Sequence, residues 1–320
     1  MRTPATALSV LISATVSPIL AAHSIEIDSF NNSPLVASQG GLYNTNLVSR
    51  GLVSAAITTE LASNSTDNQN LNEQLLFDGE SYTTTAIITV GVSERLSIDA
   101  RLPYIQHEGG QLDGLISDWH DLWGLPDGNR AARPEDVLQY SYTSSTGESV
   151  SLLTDDGGMG DVSIGAAWQL SSNFEVQSRV WFPTGDAQRL TGNDGGKLYL
   201  GARHASYLQN NNKVSYSASA GVLWTSESEL LANTVEDAVF LGRGAVRWQI
   251  MPSVAFKAQI DLHSAYYQSD FEEIGDFAHQ LGLAASFSLT KNLELDVFFT
   301  EDTAVNSASD IVFGASLRLY

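Results

Sequence analysis

Residues 254–264 read Val-Ala-Phe-Lys-Ala-Gln-Ile-Asp-Leu-His-Ser, and the period of that stretch decides the fold. Val254, Phe256, Ala258, Ile260 and Leu262 alternate with Ala255, Lys257, Gln259, Asp261 and His263. Successive side chains of a strand point to opposite faces, so one face here is apolar and the other carries charge. The same split runs through 95–104, where Leu96, Ile98, Ala100, Leu102 and Tyr104 oppose Arg95, Ser97, Asp99 and Arg101. It recurs at 161–170 and at 293–300, where Leu293, Leu295, Val297 and Phe299 oppose Glu294, Asp296, Phe298 and Thr300.

Working outward, the period places strands near 42–61, 81–92, 95–104, 160–170, 174–183, 197–208, 214–225, 237–249, 254–265, 277–289, 293–300 and 309–320. Most have about 9–12 residues, the length a tilted strand needs to cross a bilayer. Short connections (Ser93-Glu94, Ser171 to Asn173, Gln209 to Lys213, Ile250 to Ser253, Thr290 to Asn292) alternate with long ones at 62–80, 105–159, 184–196, 226–236, 266–276 and 301–308. An even strand count with short turns at one end is the pattern of an all-β, antiparallel transmembrane β-barrel, here of about 12 strands. A soluble sandwich or barrel also alternates, with its apolar face inside. Aromatic residues at strand ends (Tyr104, Trp168, Phe182, Trp224, Trp248) favour lipid outside.

The N-terminus fits export. Arg2 precedes a mostly apolar run from Ala5 to Leu20, and Leu20-Ala21-Ala22 offers small residues for cleavage before His23. Residues 1–22 are therefore expected to be a signal peptide and 23–320 a single barrel domain. The 16 Lys and Arg against 37 Asp and Glu leave a net charge of −21, which argues against general nucleic-acid binding. The chain has no cysteine, so disulfides, thiolate metal sites and a cysteine nucleophile are excluded. The last residue is aromatic, Tyr320, a feature of barrel strands recognised by the outer-membrane assembly machinery, although Ser316 and Arg318 share its phase.

With lipid outside, the charged face lines the interior. Arg50, Arg95, Arg101, Arg179, Arg203, Arg243, Arg247, Lys257 and Arg318 then point inward, with Glu60, Asp99, Glu175, Asp261, Glu294 and Asp296 as counter-ions. Such charges could line a selective pore. They could equally satisfy one another in a packed, silent interior. Twelve strands at ~4.8 Å spacing and ~40° tilt give a backbone radius of roughly 12 Å, a narrow lumen. The 105–159 connection is long enough to act as a constriction or plug. Within it Leu112, Leu115, Ile116, Trp119 and Trp123 recur at helical spacing, with Asp113, Asp118, His120 and Asp121 among them as constriction candidates.

Acid in the long connections (Asp67, Glu73, Asp78 and Glu80; Glu227, Glu229 and Glu236; Asp270, Glu272, Glu273 and Asp276) could share divalent cations with lipopolysaccharide, or form only a solvated rim. The expected surroundings are outer-membrane lipid and lipopolysaccharide. No cofactor is expected, and His107, His263 and His279 have no metal-ligand spacing. His204 and Ser206 share the apolar face of 197–208, so a lipid-modifying enzyme is the alternative from another class, without an identifiable third partner. A non-conducting structural barrel is a further alternative.

Several segments resemble a family. FNNSPLV at 30–36, LFDGESYTTT at 76–85, RLPYIQHEGGQLDGLISDWHDLWGLPDGNR at 101–130, GMGDVSIGAAWQL at 158–170 and FPTGD at 182–186 are similar to an uncharacterised family of Gram-negative envelope proteins, a domain of unknown function. The resemblance covers most of the chain beyond the leader and implies a barrel-like fold in the outer membrane. It brings no activity and no functional residue. The expectation is an outer-membrane channel or passive transporter for small hydrophilic solutes.

Overall fold

The computed structural model describes residues 23–110, 112, 114, 134, 136–206, 213–303 and 308–320. Its strands are β1 (Val53–Gln69), β2 (Gln74–Gly91), β3 (Leu96–Glu108), β4 (Gln139–Thr143), β5 (Ser149–Leu152), β6 (Asp156–Met159), β7 (Ser163–Ser171), β8 (Phe174–Trp181), β9 (Lys197–Ser206), β10 (Val214–Thr225), β11 (Ala238–Met251), β12 (Val254–His263), β13 (Ala278–Ser288), β14 (Leu293–Asp302) and β15 (Ile311–Leu319). Twelve of them form a closed antiparallel ring: β1, β2, β3, then β7 through β15. The ring shuts between first and last strands, from Ala55 opposite Leu319 to Ser63 opposite Ile311. Closure leaves no unpaired edge, which is what a sheet surrounded by lipid requires.

The period read from the sequence settles which face is which. Along β12, Phe256 is 50% and Ile260 43% exposed, whereas Lys257, Gln259 and Asp261, in the other phase, are buried. The same inversion holds around the ring, with Ile57, Ile88, Leu200 and Val297 on the outside. A soluble barrel would bury those side chains; this wall turns them outward, as a lipid-facing band does. Tyr104, Trp168, Phe182, Trp224 and Trp248 all stand on that outer surface.

Two boundaries differ from the sequence reading. Residues 62–80 do not form an open connection, because β1 and β2 stay paired from Val53–Val90 up to Gln69–Gln74. This tall hairpin is extended by β4 on β2 and β5 on β4, while β6 adds to the upper part of β3. Above the bilayer neither face meets lipid, so Asn64, Ser65, Thr66, Asp67 and Asn68 can form a strand without any apolar alternation. The first strand begins at Val53, not 42, and residues 42–48 run inside the ring instead. Within 105–159, the described residues hold the end of β3 and strands β4 to β6. The constriction candidates Asp113, Asp118, Trp119, His120 and Asp121, and most of the expected helix, lie outside the described residues.

The interior is filled by the segment before β1. From Ser24 the chain rises from the short-turn end, forms helix α1 (Pro34–Gln39) below the long connections, and descends again to β1. We refer to residues 24–45 as the strap. Proline suits the first helical turn, where its missing N–H has no partner to lose. Gly40 ends the helix at φ 88°, a left-handed backbone that glycine adopts without strain, and donates its N–H to the Ala37 carbonyl at 3.1 Å. Over this crest lies an apolar dome in which Phe30, Leu35, Val36 and Leu42 pack with Trp181, Leu190, Tyr266 and Tyr267.

Candidate functional site

The sequence placed a set of basic side chains in the lumen, and the structure brings most of them to one object, the strap. Arg101, Arg179, Arg203, Arg243, Arg247, Lys257 and Arg318 are buried inside the ring, together with Asp99, Glu175, Asp261, Glu294 and Asp296. They interlock with it because even spacing along each strand keeps one phase inward.

Five of the inward cations pair with a carboxylate of the wall and also donate to a strap carbonyl. Arg179 Nη2 meets Asp99 at 2.7 Å while its Nε donates to the Tyr43 carbonyl at 3.1 Å. Arg247 pairs with Glu294 at 2.9 Å and donates to the Ser24 carbonyl at 3.3 Å. Lys257 pairs with Asp296 at 2.7 Å and reaches the Glu26 carbonyl at 3.2 Å. Arg243 pairs with Asp261 at 2.5 Å and donates to the Ser29 carbonyl. Lys197 spans Asp161 at 2.5 Å and the Ser38 carbonyl at 2.6 Å. Buried charge is tolerated only when paired and hydrogen-bonded, and the strap completes those shells.

The strap also contributes two carboxylates of its own. Glu26 Oε1 lies 2.8 Å from Arg203 Nε and 2.8 Å from Ser217 Oγ. Arg203 holds Glu175 at 3.1 Å on its other side. Asp28 Oδ1 lies 2.8 Å from Arg101 Nη1, and its Oδ2 accepts from Thr58 Oγ1 at 3.1 Å. Uncharged donors of the strap continue the pattern: the Ile27 N–H donates to Gln259 Oε1 at 2.9 Å, Asn32 to Glu60 at 3.0 Å, and the Thr45 N–H to Gln177 at 3.0 Å. Gly165 of β7 makes room for one of these knots, since a methyl group there would overlap Asp99, Arg179 and Thr45.

Between strap and wall remains a cavity of about 60 Å³, bordered by Asn32, Tyr43, Glu60, Arg101, Asp161 and Lys197. Ile105 and Trp181 line it beside these polar groups, and it has room for a few water molecules.

Arg50 and Arg95 are corrections to the inward set: both are exposed at the short-turn rim. The chain reverses at each. Gly51 N–H bonds to the Gly91 carbonyl beside Arg50, and Val92 N–H to the Leu96 carbonyl around Arg95, so neither belongs to a strand phase. Acid in the long connections divides. Glu73 is buried and accepts from Ser269 Oγ at 2.7 Å, and Glu273 accepts from Asn68 at 3.0 Å, so both tie loops into the dome. His204 stands exposed on the outer wall with its ring stacked on Tyr216 at 5.9 Å.

Sequence reasoning missed Glu26, Asp28, Tyr43 and Thr45 because the strap has no long periodic pattern. The signal available was the alternation of Ser24, Glu26 and Asp28 with Ile25 and Ile27 just after the leader. It also missed Lys197 and Asp161, although Lys197 shares its phase with Arg203 on β9.

A family model described as "Protein of unknown function (DUF3187)" matches residues 8–319. None of the curated proteins matches the chain in sequence. Among solved structures, the COG4313 outer membrane channel from Pseudomonas putida F1 superposes with a TM-score of 0.53 at 13% identity, over 86% of this chain and 97% of that one. The Ralstonia pickettii toluene transporter TbuX superposes with a TM-score of 0.46 at 10% identity, over 91% of this chain and 98% of that one. The first likeness establishes the fold, a closed twelve-stranded barrel of the outer-membrane kind.

Proposed function

This chain belongs to the DUF3187 family of proteins of unknown function, and from that premise we propose that it is an outer-membrane channel for small hydrophilic solutes, closed in this conformation by its own N-terminal strap. The leader at 1–22 would deliver it across the inner membrane, and the apolar outer band suits it to the outer membrane. The carrying observation is the chemistry of the closure. From Ser24 to Asn32 the strap is held by ion pairs and hydrogen bonds to a charged wall, contacts that entering water and ions can replace. With the strap withdrawn, Arg101, Arg179, Arg203, Asp99, Glu175 and Asp261 would face an aqueous passage, and rings of such charges set selectivity. The Pseudomonas putida neighbour is itself named an outer membrane channel, which agrees with this reading.

Single-channel recording in a planar bilayer tests the proposal, with a heat-modifiable gel shift first showing that the refolded protein is folded. The expected trace is a mostly closed barrel with brief, stable openings. Glu26→Gln, which loosens the strap from Arg203, should lengthen them, and Arg179→Gln should change the step size. A folded barrel that is silent in both wild type and Glu26→Gln would overturn the channel reading.

A further inference from the structure

The two strap carboxylates sit differently, and Asp28 is the informative one. Its site is built almost wholly from the rigid wall. Arg101 comes from β3, Thr58 from β1, and Thr58 Oγ1 is also 3.0 Å from Ser316 Oγ, its register partner on β15. The Arg101 Cζ lies over the ring of Tyr43, a strap residue, 4.3 Å from its centre. Arg318, buried two residues further along β15, acts on the same carboxylate; it is hydrogen-bonded to Tyr320, and its Nη1 meets no partner among the described residues. Nearby Asp99 is already committed to Arg179 at 2.7 Å. Glu60 also acts on Arg101 and Asp296 on Arg318, but Asp296 is already held by Lys257 at 2.7 Å.

We infer that Asp28 occupies, as a tethered stand-in, an anion site on the barrel wall formed by Arg101, Arg318, Thr58 and Ser316, which a small carboxylate-bearing solute takes when the strap withdraws. The inference rests on the channel reading, because it supposes that the strap leaves. A planar guanidinium with hydroxyl donors beside it matches a carboxylate in shape as well as charge. Emptying the site without replacement would leave buried cations uncompensated, so a solute carrying the same group is the exchange the wall is built to accept. The acidic outer connections oppose this by repelling anions at the mouth, and the lumen reverses that sign locally.

Chemical rescue separates site from channel. Asp28→Ala in the full chain removes a carboxylate of the size of formate. Refolding yield and the temperature at which the compact gel band is lost are compared in sodium formate and in sodium chloride of equal concentration. Formate should restore the yield and raise that temperature by several degrees in Asp28→Ala. It should do neither in wild type, where the site is filled, nor in Asp28→Ala/Arg101→Gln, where it is dismantled. Equal behaviour in the two salts, or rescue that survives loss of Arg101, overturns the site. Should Asp28→Ala fold in neither salt, Asp28→Ser, whose hydroxyl can still meet Thr58, carries the same comparison: rescue by formate supports the site and equal behaviour overturns it. Rescue in a barrel that never conducts keeps the site and removes the channel; conduction without rescue does the reverse.

Discussion

The strap is held by two unlike grips. Its lower leg, Ser24 to Asn32, meets the wall through Arg247, Arg203, Arg101, Gln259 and Glu60. Its crest, with Leu35 and Val36 in α1 and Leu42 just beyond, is sealed in the apolar dome against Trp181, Leu190 and Tyr267. Each net hydrogen bond contributes only about 0.5–1.5 kcal/mol because water can replace it. Apolar area returned to water costs about 25 cal/mol per Å² with nothing to offset it. One segment is thus exchangeable at the short-turn end and anchored under the dome, so opening should start as a peel from below.

The sharpest way to break this contrast is Arg203→Ala, which strands Glu26 and Glu175 together. We expect a loss of about 3–5 kcal/mol in urea unfolding followed by tryptophan fluorescence. A loss below about 1 kcal/mol would mean that the lumen charges are solvated already. At the crest, Leu35→Ala should cost about 2–5 kcal/mol by the same measurement, and should lengthen openings less than Glu26→Gln does. Outside the ring, Val297→Arg should cost about 2–4 kcal/mol in a bilayer and much less in detergent, if that face meets the middle of the lipid.

Finer effects separate the grips directly. Raising salt should speed hydrogen exchange at the Ile27 amide, which is bonded to Gln259 among charges, and leave the Ala37 amide of α1 unchanged. Equal acceleration at both sites would show that the strap moves as one body. Arg95→Gln, at the exposed rim, should stay within about 0.5 kcal/mol of wild type and leave the conductance unaltered.

Where lipid imposes an apolar face, the sequence is readable. The period-two stretches from 95–104 onward lie within a few residues of strands β3 and β7 to β15, because every slip by one residue would turn charge toward lipid. The inward phase of Arg179, Arg203 and Lys257 follows from the same constraint. Where lipid is absent, the pattern fades. Residues 62–80 form a paired hairpin from polar residues, and 42–48 alternate well enough to read as a strand while lying unpaired in the lumen. Which carboxylate meets which cation was equally hidden, since Glu26 and Arg203 stand far apart in the chain and are joined only by barrel closure.

Tyr320, next after β15, gives the closed ring a further meaning. The Ser24 N–H donates to the Tyr320 hydroxyl at 3.0 Å, a contact between residues 296 positions apart. Tyr320 Oη also donates to Glu294 at 3.2 Å, and Glu294 holds Arg247. That acceptor stands in place only when β15 is zipped to β1, the strand pairing with the greatest separation along the chain among the described residues. Seating of the strap is therefore tied to closure of the ring, and its bond at the barrel floor forms only where the first and last strands have met.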